Sequence, residues 1–287
     1  MTHHKLETKQ KDRKQYFFKL LLCSSFCMLF NVDVMCQTVF TEGVLEYTVV
    51  DSVAGRPLVA VTRMAGKLQR KNMYESLKLN IPSQIRHEDR HYLVSEIASG
   101  AFSNSNDIES IEISNGIEFI EANAFQNCNK LESVILPNTL KSFCTPNFRG
   151  CHHLRELSVA GGNPTYDSRG NCNAIIDSRS GRLIAGCTMT QIPPDIETIG
   201  DFAFYGTYTN NILEIPTNIK YIGRYAFANL AYLETLLLPA NIKHIDDYAF
   251  AYNNRLTHLN IPHTHQGISP TAFAVCDTFN RETTSKY

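Results

Sequence analysis

An Ala-Phe pair recurs along this chain at a fixed interval. It occurs at Ala101-Phe102, Ala124-Phe125, Ala203-Phe204, Ala226-Phe227, Ala249-Phe250 and Ala272-Phe273, with Asn147-Phe148 as a degenerate copy. Successive phenylalanines are 23, 23, 56, 23, 23 and 23 residues apart, and the odd interval is one period plus 33 residues. A fixed period of this length points to stacked units and away from one large core. Other slots keep the register. Five residues before each Phe stand Ile97, Ile120, Phe143, Ile199, Ile222, Ile245 and Ile268. Twelve before stand Ile113, Leu136, Ile192, Ile215, Leu238 and Ile261, and all but the first are followed by Pro. Fourteen before stand Ile111, Val134, Leu213, Leu236 and Leu259.

Each slot has a physical role. The alternating apolar residues read as a strand with one buried face. Pro then ends the strand, because it has no ladder donor. A second short extended piece leads to Ala-Phe, which plugs the interior at a tight turn. One such unit cannot bury its own apolar face, but stacked copies can, at roughly 4.8 Å per rung. The expected fold is a right-handed, β-rich leucine-rich-repeat solenoid of short parallel strands with tight or single-turn helical connections. A small N-terminal β cap is expected over 37–81, the solenoid over 82–277 with a hairpin insertion at about 161–186, and a polar tail over 278–287.

The Ile-Pro…Ile…Ala-Phe units from Ile81 to Cys276 resemble the BspA-type leucine-rich repeat family of surface proteins from anaerobic gut and oral bacteria. Three further stretches carry the resemblance. Gly43 to Val49 is similar to the opening strand of such domains. Leu79-Asn80-Ile81-Pro82, followed by Tyr92 to Ile97, is similar to a widened first repeat. Gly162 to Arg169, with Cys172 to Ile176 and Leu183 to Cys187, is similar to the family's hairpin insertion. The resemblance implies adhesion to host extracellular proteins or to other cells.

The first 36 residues read as an export signal. Lys9, Lys11, Arg13, Lys14 and Lys19 precede or enter an apolar stretch from Phe17 to Phe30. That stretch is shorter than the about 20 residues a membrane span needs, and it suits a secretory signal cleaved after Cys36. The full chain of 287 residues has a formal net charge of −1. The segment carries six of its Lys and Arg and three of its Asp and Glu, so the remaining 251 residues carry −4. A chain this acidic is not built to hold nucleic acid or an anionic membrane surface. The expected location is outside the cell or on its surface, with membrane contact only through export or an anchor. Six cysteines remain, in a compartment that permits disulfides.

No nucleophile elbow, zinc-protease helix, phosphate loop or dinucleotide fingerprint appears, so the chain does not read as an enzyme, and no cofactor or metal is implied. His152-His153 and His263-Thr264-His265 read as loop residues. Two surface features stand out. Outward positions around the first strand hold Glu109, Glu112, Glu132, Glu156, Glu214 and Glu234, with Arg155 the lone base, which predicts an acidic stripe for a basic protein partner. Two residues before the repeat Phe stand Phe202, Tyr225 and Tyr248, which predicts an aromatic ladder for a protein anchor or a sugar ring. Tyr205, Tyr221, Tyr232 and Tyr252 lie nearby in the register. Cys172 and Cys187 bracket the hairpin and are candidates for a disulfide. The expected function is binding of host or bacterial surface proteins, with glycan capture or a purely structural envelope role as alternatives. Expressed in a secreting bacterial host, the processed protein is expected to begin at Gln37 by N-terminal sequencing. A membrane-bound chain that retains residues 1–36 contradicts the cleavage.

Overall fold

The computed structural model describes residues 38–53, 56–72, 74–207, 210–261 and 267–276. Residues 1–36, expected to be an export signal, His263, His265 and the expected polar tail 278–287 lie outside the described residues. Among the described residues the regular structure is strand, with one three-residue 3-10 turn at Arg169–Asn171 and no α-helix.

The chain opens with an antiparallel meander. Val39–Glu42 pairs with Leu45–Val53 around Gly43, whose φ of 61° suits glycine at a tight turn, and Leu45–Val53 pairs with Arg56–Met64. Arg56–Met64 then runs parallel to Arg90–Ile97, so the meander joins the solenoid through continuous backbone pairing. The repeats build two parallel ladders. The first strands stack as Lys78–Ile81, Ser110–Ile113, Ser133–Leu136 and Glu156–Val159. The second strands follow Arg90–Ile97 as the two-residue pieces Phe119–Ile120 and Ser142–Phe143. Lys78–Ile81 is already a member of the first ladder, so the ladder begins before the boundary expected at 81/82. Its alternation, with Leu79 and Ile81 buried and Lys78 and Asn80 exposed, is that of a repeat strand.

The insertion interrupts both ladders and restarts one of them. Tyr166–Asp167 pairs antiparallel with Ala174–Asp177, which forms a hairpin with Arg182–Gly186. Arg182–Gly186 runs parallel to Thr198–Ile199, and Tyr221–Ile222 and His244–Ile245 continue from there. A second first-strand ladder holds Ile212–Glu214, Thr235–Leu237 and His258–Asn260. Arg169 braces the insertion by pairing with Asp167 at 2.6 Å and Asp195 at 2.7 Å. The Arg169 guanidinium holds the Asp167 carboxyl down to about 2.

The repeat phenylalanines form the spine. Phe102, Phe125 and Phe148 stack at 5.7 and 5.6 Å with nearly parallel rings, and Phe204, Phe227, Phe250 and Phe273 stack at 4.9, 5.4 and 5.4 Å. Backbone bonds at the same corner tie each rung to the next, such as Phe227 N–H to Ala249 O at 2.7 Å. The slot three residues after the Phe completes the corner. Cys128 and Cys151 donate their thiols to the carbonyls of Phe102 and Phe125 at 3.0 Å. Asn253 does the same with its amide, donating to Phe227 O at 3.0 Å while accepting from Leu230 N–H at 2.7 Å. This explains why Cys and Asn share a buried slot.

The expected Cys172–Cys187 disulfide is not formed. Both thiols are free and buried. Cys187 occupies a core slot where two carbonyls, of Arg155 and Asn173, lie 3.4 Å from its sulfur. Cys172 sulfur lies 3.9 Å from Ala174 O.

Replacing Phe227 by Ala removes a ring that is 1% exposed and stacked on both sides, and is expected to cost about 3–5 kcal/mol. Replacing Asn253 by Ala strands buried backbone groups and is expected to cost at least about 1–3 kcal/mol. Denaturant titrations followed by circular dichroism measure both. Losses under about 1 kcal/mol contradict these roles.

Candidate functional site

The aromatic ladder lies at a corner of the rungs where the backbone takes a left-handed conformation. Two residues before the repeat Phe, φ is 69° at Gly100 and 61° at Asn123. These are residue types that tolerate the geometry. The same slot in the later rungs holds Phe202, Tyr225 and Tyr248, at φ of 60°, 55° and 59°. A bulky side chain in this region costs roughly 1–2 kcal/mol. Three consecutive rungs accept that strain and carry an aromatic ring at the surface. Strain of this kind concentrates at functional sites.

The rings are ordered. Phe202 and Tyr225 stack at 5.1 Å with 9° between planes, and Tyr225 and Tyr248 at 5.1 Å with 8°. Each ring therefore covers the face of its neighbour and turns its edge outward. Tyr205 stands across the ladder, its ring at 84° to Phe202 and 87° to Tyr225. The Arg149 guanidinium lies 5.2 Å from the Tyr205 ring centre. Two residues after the Phe comes a second left-handed corner, which places Asn229 (φ 59°) and Tyr252 (φ 61°) opposite the ladder. An open groove of about 580 Å³ lies among Phe202, Tyr225, Tyr205, Asn229 and Tyr252, with Arg149 and Pro146 at one end. Partial burial, then the nearby phenols of Tyr252, Tyr248 and Tyr205, raise the Tyr225 phenol above its usual range. The Tyr225 phenol stays a neutral donor at physiological pH.

Register reasoning found the ladder, Tyr205 and Tyr252. It missed Pro146, Arg149 and Asn229, which occupy the slots of Phe202, Tyr205 and Tyr252 in other rungs but are not aromatic. Tyr221, Tyr232 and the ladder's own Tyr248 do not line it. Tyr232 lies instead under the Arg255 guanidinium.

The six glutamates do not make the expected single acidic stripe. Strand alternation puts Glu112, Glu156 and Glu214 on the outer strand face, but in separate columns. Glu112 aligns with Asn80 and Ile135, Glu156 with Ser133, and Glu214 with Leu237. Glu109, Glu132 and Glu234 stand just before the strands, where their carbonyls receive amides of the next rung, and Arg155 follows Glu132 in that column. Glu109 is held by Ser76 Oγ at 2.7 Å and by Arg70, and these partners lower its carboxyl below the usual range. The same outer face exposes Ile135, Ile212 and Leu237, so it is mixed in character. His152 and His153 are exposed, and among the described residues no cluster of His, Cys, Asp or Glu is placed to hold a metal ion. Nor is any helix among them long and apolar enough to cross a membrane.

The sequence matches the BspA type leucine rich repeat region in six copies, over residues 79–169 and 184–285. The chain belongs to that leucine-rich repeat family. Among solved structures it is similar to a leucine-rich repeat protein from Bacteroides ovatus, at 24% identity and a TM-score of 0.46, over 82% of this chain and 50% of that one. It thus spans about half the length of the Bacteroides protein. A leucine rich cell surface protein from Faecalibacterium prausnitzii is 16% identical, with a TM-score of 0.40, over 84% of this chain and 87% of that one. The leucine rich repeat protein of T. pallidum is 20% identical, with a TM-score of 0.41, over 86% and 94%. No curated protein matches the chain.

The earlier rungs suggest how to test the ladder. Replacing Tyr225 by Asn, the residue found at 123, relieves left-handed strain and removes three ring contacts of about 0.5–1.5 kcal/mol each. The two effects partly offset, and the net loss is expected to stay below about 2 kcal/mol in a denaturant titration. A loss of about 3 kcal/mol or more would mark the ladder as structural packing.

Proposed function

We propose that this protein is an exported recognition protein that works at the cell surface by binding other proteins, with adhesion as the outcome. The observation that carries this reading is the row of three strained, surface-facing aromatic residues in consecutive rungs. Packing alone does not call for them, because the equivalent corners of earlier rungs are closed by Gly100 and Asn123. Tyrosine and arginine, which gather here, dominate the energetics of protein interfaces. Membership of a repeat family with extended, rigid faces supports the same reading. So does the charge and apolar pattern of residues 1–36, which suits export.

Glycan capture is less well supported by the geometry. Sugars bind aromatic residues through the ring face, and stacking covers both faces of Tyr225 and one face each of Phe202 and Tyr248. Ring edges and phenol hydroxyls remain for contact, and these suit a polypeptide.

The test is biolayer interferometry of the chain from Gln37 against a panel of purified extracellular-matrix proteins and a glycan array. Saturable binding to a protein is expected, weakened about tenfold or more when Tyr225 and Tyr248 are both replaced by Asn. Exchanging Glu112 and Glu156 for Gln is expected to change it less than about twofold. No protein binding above that of a surface-scrambled control overturns the proposal.

A further inference from the structure

We propose that the aromatic groove binds one class of partner segment, an acidic, proline-rich stretch in the polyproline II conformation, with a carboxylate placed at Arg149. This rests on the reading that the protein recognises other proteins, and it names the chemistry of what is recognised.

The electrostatics of the groove come first. An aromatic ring is negative on its faces and positive along its edge. Stacking covers both faces of Tyr225 and one face each of Phe202 and Tyr248, so the row presents mainly edges. Phenol hydroxyls and the Asn229 amide add hydrogen-bond donors. Arg149 is the one charged residue in the lining. Its guanidinium spends its face on Tyr205, and among the described residues it forms no ion pair. The N–H rim of a guanidinium over a ring remains free to take a carboxylate in a two-point contact. The guanidinium and the ring edges favour an electron-rich ligand, the phenols and the Asn229 amide can donate to it, and no carboxylate of the protein lines the groove to compete.

Spacing selects the backbone. Two ring-to-ring steps of 5.1 Å carry the ladder from Phe202 to Tyr248. Together they approach the length of one polyproline II turn, three residues at about 3.1 Å each. Phe202 and Tyr225 line the groove and Tyr248 continues the row beyond it, so a ridge of such a helix meets the ladder in phase, once every two rungs. A β-strand, which repeats its side chains every two residues at about 3.3 Å, falls out of step. Proline also suits a wall rich in donors, because a tertiary amide offers a carbonyl and no N–H. The segment arrives already ordered, which limits the entropy lost on binding to an aromatic-lined groove.

The test uses fluorescein-labelled twelve-residue peptides of alternating Pro and Glu, Pro and Lys, and Pro and Gln, titrated with the chain from Gln37 and read by fluorescence anisotropy. The Pro-Glu peptide is expected to bind saturably, and the Pro-Lys peptide at least about tenfold more weakly. Arg149→Ala is expected to weaken Pro-Glu binding about tenfold or more while leaving the much weaker Pro-Gln binding within about twofold. Tyr225→Asn with Tyr248→Asn is expected to abolish all peptide binding in protein that retains its strand circular dichroism. Equal binding of the Pro-Glu and Pro-Lys peptides overturns the inference, and so does an Arg149→Ala variant with unchanged affinity. Binding of an acidic oligosaccharide in place of the peptides overturns it too. A protein that still binds a matrix protein but ignores every peptide defeats this inference and leaves the broader reading standing. One that binds neither defeats both.

Discussion

Each rung of this solenoid depends on a neighbour to close its corner. The Phe227 amide bonds to Ala249 O, the Phe250 amide to Ala272 O, and the rings stack along the same line. A single rung has no partner for these amides and no cover for the ring. Order along the axis is therefore a property of the stack, and nearest-neighbour coupling carries the stability. The thiols of Cys128 and Cys151 and the amide of Asn253 belong to that coupling, because each reaches back to a carbonyl of the preceding rung. The exposed corners can bear unusual residues because this interior holds them in register.

The repeat was legible in the sequence because one Phe plugs each rung and nothing else fits its slot. The interval of 56 residues marked the insertion, and the structure fills it with the hairpin Ala174–Asp177 and Arg182–Gly186. Two matters were not legible. Strand alternation fixes which glutamates face outward only when the strand limits are known to one residue, and Glu109, Glu132 and Glu234 fall one position outside. The fate of Cys172 and Cys187 depends on which carbonyls the inserted hairpin brings beside them, and sequence spacing does not report that. The ladder is an intermediate case. Its residues were found from register, but the orientation of the rings follows from left-handed backbone angles. Gly100 and Asn123 in the same slot were the one hint of those angles.

Ring orientation also changes the chemistry expected of the site. An aromatic row suggests a platform for flat apolar ligands. Here neighbouring rings cover one another, and Tyr205 crosses them nearly at a right angle. What faces solvent is a rim of C–H edges, phenols and a guanidinium that rests on Tyr205. The row is apolar in composition and electropositive in outlook, and the two descriptions predict different ligands.

The left-handed corners carry a further consequence for how such a surface changes over generations. The genetic code separates Asn from Tyr by a single base, AAT from TAT or AAC from TAC. Corners of this protein hold Asn at 104, 123, 127 and 229 and Tyr at 225, 248 and 252, all with positive φ. A point mutation at such a corner exchanges a small amide for a large phenol without altering the strands, the Phe spine or the register. Copying a rung copies its corners as well. Lineages can thus lengthen, shorten or redraw the exposed row while the interior stays constant, so the surface is free to vary faster than the fold that supports it.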